Sequence, residues 1–365
     1  MRRLIRQSVP LALASCILVL TCQALFAEDS AKATDRERKK TATAAARGLA
    51  LVQKAATNYP KHRDCFSCHH QTLPMLAVVT ARAHRVPTVE KLLQDQAKFT
   101  RDSFEGKIED LKRGQNIGGR SMTVGYALWA LALASEKPDE ITEAMVAYLL
   151  KSQNEKGYWT GQTTRPPFEE SYFTCTALAV KGMKRYATAA QHTGVTAAIA
   201  KAKAWLESAS VKGQEDKAAR LWGLHALDAK PELLRDVRDA VLKSQRPDGG
   251  WPQLDSMKSD AYATGQTLFV LQATGYDPAD DAYRRGIRYL LDTQRPDGAW
   301  LVVTRSRPIQ PYYAFDDEDP LGKNQFISVP ATSWAVAALA ASQPAKPAPK
   351  GGKLAQSQIS TSPSR

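Results

Sequence analysis

Cysteine is scarce in this chain, at 5 of 365 residues, and the spacing is too uneven for the disulfide frameworks that staple small secreted folds. Strand-like alternation is scarcer still. Apart from a short extended stretch at Leu301–Val303, no segment alternates apolar and polar residues over a strand's length, which argues against sandwiches and barrels. The formal charge of +13 comes without an Arg-rich stripe interleaved with aromatics, so a nucleic-acid partner is not expected. A solvated surface with a basic tail accounts for it. The longest apolar run, Val9–Leu20, falls short of the roughly 20 residues that span a bilayer.

That run has the build of an export signal instead. Arg2, Arg3 and Arg6 precede it, and Ala24-Leu25-Phe26-Ala27 offers a small-residue cleavage site before Glu28. Residues 1–27 are therefore expected to be a cleaved signal peptide, leaving an exported, periplasmic chain with no transmembrane anchor. Leu13-Ala14-Ser15-Cys16 looks like a lipoprotein box but lies inside the apolar run, so lipidation is the less favoured reading. Cleavage would remove Cys16 and Cys22, keep Cys65, Cys68 and Cys175, and leave a charge of +10. Residues 28–45 read as a lead-in linker and 46–343 as one helical domain. From Pro344 to Arg365 the chain is rich in Pro, Lys, Gly and Ser, and reads as a disordered basic tail.

Within 46–343 one phrase, Gln-x-x-x-Gly-x-Trp, is written three times: Gln153…Gly157…Trp159, Gln245…Gly249…Trp251 and Gln294…Gly298…Trp300. The glutamine is expected at the end of a helix, where an amide can satisfy orphan carbonyls. The glycine supplies a turn with positive φ, and the tryptophan covers the junction with a large apolar plate. Around these loops the helices fall into pairs. Amphipathic segments (Glu140–Gln153, Leu233–Gln245, Ala282–Gln294) alternate with segments apolar on every side (Met122–Ala134, Thr174–Met183, Thr264–Ala273, Thr332–Ala341). Helices apolar all round must be buried and one-sided helices must cover them. Counting a pair at Cys65–His69, one at Gly114–Arg120 and a degenerate pair over Lys201–Ser208 and Ala218–Ala229 gives six hairpins. Such units bury their apolar faces only against neighbours.

These phrases resemble the repeat of squalene–hopene cyclases, oxidosqualene cyclases and protein prenyltransferase β subunits. The resemblance implies an all-α (α/α)6 toroid of inner and outer helix rings. It also implies an isoprenoid or other apolar small molecule as a possible ligand. The family's catalytic motifs are not reproduced. Cyclases of this type open with Asp-x-Asp-Asp at the start of an inner helix; here the comparable start is Asp260-Ala261-Tyr262-Ala263, which keeps only the first acid. The prenyltransferase zinc set is also absent: Cys175 has no acid two residues earlier and reads as a small buried hydrophobe. Asp260 and Glu170, which open comparable inner helices, and His225, which could face a cavity, are kept as catalytic candidates. Each has a plain structural alternative in the helix dipole or the core. The acidic run Asp316–Asp319 between Pro311 and Pro320 reads as a solvated loop.

Cys65-Phe66-Ser67-Cys68-His69 is the most specific chemical pattern. Cys-x-x-Cys-His is the attachment signature of c-type haem, with both thiols bound to the macrocycle and the histidine as axial ligand to the iron. Cys65, Cys68 and His69 are therefore assigned to a covalent haem c. Met75, His84 and Met122 are candidates for the sixth ligand. A Zn²⁺ site using Cys65, Cys68, His69 or His70 and a Cys65–Cys68 disulfide are the rivals. The leading expectation is a haem protein for periplasmic electron transfer with a redox partner, or for redox chemistry on an apolar ligand. A haem-free terpenoid cyclase or prenyltransferase-like enzyme is the alternative, and a non-catalytic binding toroid a second one.

Overall fold

The computed structural model describes residues 12–162, 165–307 and 321–343, with side chains from Asp35 onward. The expected tail at 344–365, the acidic run Asp316–Asp319 and residues 1–11 of the expected signal lie outside these residues.

Six helical hairpins alternate between an outer and an inner ring. The outer helices are α1 (Ala12–Asn58), α3 (Leu92–Glu105, followed by the short α4, Ile108–Arg113), α6 (Glu140–Ser152), α8 (His192–Ser208), α10 (Pro231–Leu242) and α12 (Asp281–Thr293). The inner ones are α2 (Leu73–Ala83), α5 (Arg120–Leu133), α7 (Tyr172–Tyr186), α9 (Gln214–Ala226), α11 (Ala261–Ala273) and α13 (Gln325–Ala341). The division follows side-chain distribution. Outer helix α12 buries only Tyr283, Gly286, Ile287 and Leu290, a single stripe at helical spacing. Inner helix α11 buries every residue but Gln272, and α13 is buried along its whole length. The ring closes where α13 packs on α11, α1 and α2. The all-α toroid expected from the repeats is the observed fold.

The three repeated phrases act as clasps between neighbouring units. Gln153 Nε2 donates to the Gly157 carbonyl at 2.9 Å and to Ala198 on the next outer helix at 2.8 Å. Gln245 does the same to Gly249 and Ala282, at 2.8 and 2.7 Å. Gln294 reaches Gly298 and Ala44, both at 2.9 Å. The amide therefore does not cap its own helix, as the sequence suggested. It ties its loop to the following outer helix, and Gln294 ties the last unit to the first. Each indole donates back to the preceding helix, from Trp159 to Leu149, Trp251 to Val241 and Trp300 to Leu290, at 2.7–2.9 Å. The backbone N–H of each tryptophan donates to a threonine hydroxyl on the following inner helix, Thr176, Thr264 or Thr332. Glycine is required because φ is +96°, +85° and +90° at Gly157, Gly249 and Gly298. A Cβ at Gly249 would also stand 2.5 Å from the Arg285 carbonyl oxygen.

Two sequence boundaries shift. Helix α1 runs through the expected lead-in 28–45, and Thr41, Ala44 and Ala45 are buried, so the packed unit begins before residue 46. Ring closure by Gln294 is the reason. Leu301–Val303 forms no strand; Val302 instead exchanges hydrogen bonds with Ser328. The short strands seen are β1 (Trp251–Pro252) and β2 (Ser259–Asp260), paired antiparallel. No helix among the described residues is long and apolar enough to cross a membrane.

Candidate functional site

Loops from outer to inner helices all emerge at one end of the ring, and two sets of groups collect there. The first surrounds Cys65–His69. Ser67 fixes this segment: its N–H donates to Gln71 Oε1 at 2.6 Å and its hydroxyl accepts from the His70 N–H at 3.3 Å. A wide helical turn, Cys68–Thr72, then leads into α2 and carries both histidines inward. His69 packs on Phe326 (ring centroids 4.9 Å) and His70 stacks on Tyr59 (5.8 Å), with their Nδ1 atoms in contact. Burial pulls the His69 pKa down to about 3 and pushes the Cys68 thiol up. Cys65 is exposed, with Sγ 3.6 Å from the Tyr59 hydroxyl.

Cys65, Cys68 and His69 line one cavity of about 380 Å³. Its walls include Phe66, Phe104 and Ile117, Lys107, the ion pair of Arg165 with Glu169 (3.5 Å), and Met122 from the first turn of α5. Among the three sixth-ligand candidates only Met122 is here. Met75 is fully buried in the core, and His84, at the far end of α2, has its Nδ1 2.6 Å from the Gln343 carbonyl oxygen. Both rim cysteines are free thiols, so the disulfide rival is not what the structure shows. Among the described residues no three His, Cys, Asp or Glu side chains converge as a Zn²⁺ ion requires.

The second set lies one aromatic layer inward. Phe168 is fully buried against Phe326, Tyr262 and His69, with centroids 5.0, 6.0 and 6.4 Å away. Beyond it, Glu215 on the first turn of α9 accepts hydrogen bonds from the Thr174 hydroxyl of α7 and from the Tyr262 hydroxyl of α11, the latter at 3.0 Å. Burial raises the Glu215 pKa to about 7 despite these donors. Its neighbour Asp216 accepts from Ser171 Oγ at 2.6 Å and from the Lys212 N–H at 2.9 Å. The far end of the ring is closed by Trp129, Trp222, Trp334 and Phe269, with Lys181 Nζ 4.6 Å above the Trp222 ring.

The three catalytic candidates from sequence do not form one site. Asp260 caps α11, accepting from the Ala263 N–H at 3.0 Å and from Gln253 at 3.1 Å, and burial raises its pKa to about 6. Glu170 pairs with Arg305 at 3.6 Å on the rim, its side chain 46% exposed. His225 sits near the C-terminus of α9, ten residues from Glu215 and so roughly 15 Å along the axis. Burial lowers its pKa, with the Lys181 charge adding to the effect. Cys175 is fully buried, as expected. Glu215 was the residue missed. It opens the inner helix of the degenerate pair, which lacks the repeated phrase, and an acid in a first helical turn ordinarily signifies only the dipole.

No known protein family matches the chain. Over 66 residues it is 38% identical to a copalyl diphosphate synthase of Streptomyces anulatus, a stretch covering 18% of this chain and 12% of that enzyme. A type II terpene cyclase of Scytonema, solved with its product merosterolic acid A, superposes over 84% of this chain and 98% of its own, with TM-score 0.52 and 14% identity. A glycosidase variant superposes over 85% and 99%, with TM-score 0.56 and 11% identity. These likenesses establish the toroid. The same fold carries different chemistries, so activity rests on the site itself.

Proposed function

We propose that the chain binds an isoprenoid-like apolar molecule in the aromatic centre of the ring, and that Glu215 is the acid that protonates it, in a step that needs no haem. The observation that carries this reading is the state of Glu215. Burial raises the Glu215 pKa to about 7, so the carboxyl carries its proton below that pH, while the Thr174 and Tyr262 hydroxyls donate to the oxygens where charge appears once the proton leaves. A proton is therefore present to be donated, and the two hydroxyls offset part of the burial cost of the carboxylate that the transfer leaves. A cation generated on the substrate would meet the π faces of Phe168, Phe326 and Tyr262. The bound ligands of the cyclase neighbours agree with an apolar substrate.

Incubation with linear polyprenyl substrates, followed by mass-spectrometric analysis of cyclic products, tests the reading. Turnover should disappear in Glu215→Gln and persist in Asp260→Asn. Equal turnover in Glu215→Gln, or none from the unmutated chain with any polyprenyl substrate offered, would overturn it.

A second reading is favoured by one specific observation: Cys65, Cys68, His69 and Met122 share a cavity, although Met122 belongs to the next hairpin. These residues fit a c-type haem. Each thiol would add S–H across one vinyl C=C, sulfur to one carbon and hydrogen to the other, with no oxidant and no leaving group. Lys107 lines the same cavity and would meet a propionate carboxylate, whereas Arg165 is paired with Glu169 at 3.5 Å. On this reading the exported chain transfers electrons to a periplasmic partner. Haem staining that survives denaturing electrophoresis, after expression with a c-type maturation system, should vanish in the Cys65→Ala/Cys68→Ala double variant.

A further inference from the structure

We infer that Met122 is the second axial ligand at the rim site, making it a six-coordinate electron-transfer centre with no coordination position open for substrate. This rests on the second reading above and is independent of Glu215. Met75 is enclosed in the core and absent from the cavity wall. His84 lies at the opposite end of α2 with Nδ1 against a backbone carbonyl. His70 is fully buried, its ring stacked on Tyr59 and its Nδ1 against His69. Met122 is different. It is 3% exposed, yet that remaining surface faces the cavity that His69 and both thiols line.

Local structure supports the role. Gly118 and Gly119 precede α5, with Gly119 at φ +76°, and both line the cavity beside Met122. Gly118 is exposed and a Cβ there would meet nothing within 4 Å, so the cavity is open on that side. A thioether is a soft, neutral ligand suited to haem iron, and a His/Met pair raises the reduction potential. Phe66, Phe104 and Ile117 supply the apolar surround that the same effect requires. Cys65, the exposed residue of the motif, marks the edge facing solvent and thus a partner.

The test uses the full chain matured with haem. Covalent stain on a denaturing gel reports whether haem is attached. With haem attached, ferric wild type should be low-spin with the charge-transfer band of sulfur–iron ligation, and the ferrous form should resist carbon monoxide. Met122→Leu keeps the volume and removes the ligand; it should lose the band, turn high-spin and bind carbon monoxide. Met122→His should restore a low-spin spectrum at a lower potential. A wild type that binds carbon monoxide as readily as Met122→Leu, or a Met122→Leu spectrum unchanged from wild type, overturns the assignment of Met122. Absence of covalent haem in wild type overturns the reading beneath it.

Discussion

Replacing Glu215 by glutamine should make the protein more stable at pH 8 and leave it unchanged at pH 4. Glutamine keeps the shape of the protonated acid. Its carbonyl still accepts from the Tyr262 hydroxyl, while the Thr174 hydroxyl turns to accept from the amide. What the substitution removes is an ionisation. Below about pH 4.5 the carboxyl is protonated whether the chain is folded or unfolded, so it costs nothing. Between 4.5 and about 7 the folded chain holds a proton that the unfolded chain has released, and stability falls as pH rises. Above 7 the full penalty is in place. A displacement from 4.5 to about 7 corresponds to about 3 kcal/mol at about 1.4 kcal/mol per unit. Urea unfolding at half-unit pH steps, wild type against Glu215→Gln, isolates this residue because titrations not coupled to it cancel in the difference. The two curves should coincide at pH 4 and separate by about 3 kcal/mol by pH 8. Parallel curves across that range would refute the claim that Glu215 is held protonated in the ring centre.

Other substitutions test the clasps and the rim. Gly249→Ala combines positive φ with a Cβ 2.5 Å from the Arg285 carbonyl; the backbone penalty alone is about 1–2 kcal/mol, so the urea midpoint should drop clearly. Gln294→Met removes one donor from each of the Ala44 and Gly298 carbonyls, at about 0.5–1.5 kcal/mol per lost hydrogen bond. Hydrogen exchange should then rise in α1 around Ala44, whereas Gln153→Met should loosen α8 around Ala198. Asp260→Asn keeps the helix cap but removes a carboxyl raised to about 6, so stability should no longer decline as pH rises through 6 on that residue's account.

The ring was legible because its signal is repeated and local. Gln153, Gly157 and Trp159 each have one physical task within a few residues, and three copies at matching helix junctions leave little freedom for another architecture. What the glutamine bonds to was not legible, since Ala198, Ala282 and Ala44 are brought to it by the next unit. The acid was hidden for a related reason. Glu215, Thr174 and Tyr262 come from three inner helices, and nothing near Glu215 in sequence distinguishes a buried carboxyl from a dipole-complementing one. Asp260 looked the better acid because it stands at the resembling motif, yet its side chain is occupied as a helix cap. At the rim the order is reversed. Cys65, Cys68 and His69 are contiguous and announce themselves, while the choice of Met122 over Met75 and His84 needed the ring to show which of them reaches the cavity.

The most direct test of the proton-donor account is product analysis in deuterium oxide. If Glu215, exchanged with solvent, initiates the reaction, wild type turning over a linear polyprenyl substrate should yield a cyclic product carrying one deuterium at the carbon first protonated, and Glu215→Gln should yield none of that product. A cyclic product without deuterium, or labelled product formed equally by Glu215→Gln, would contradict it.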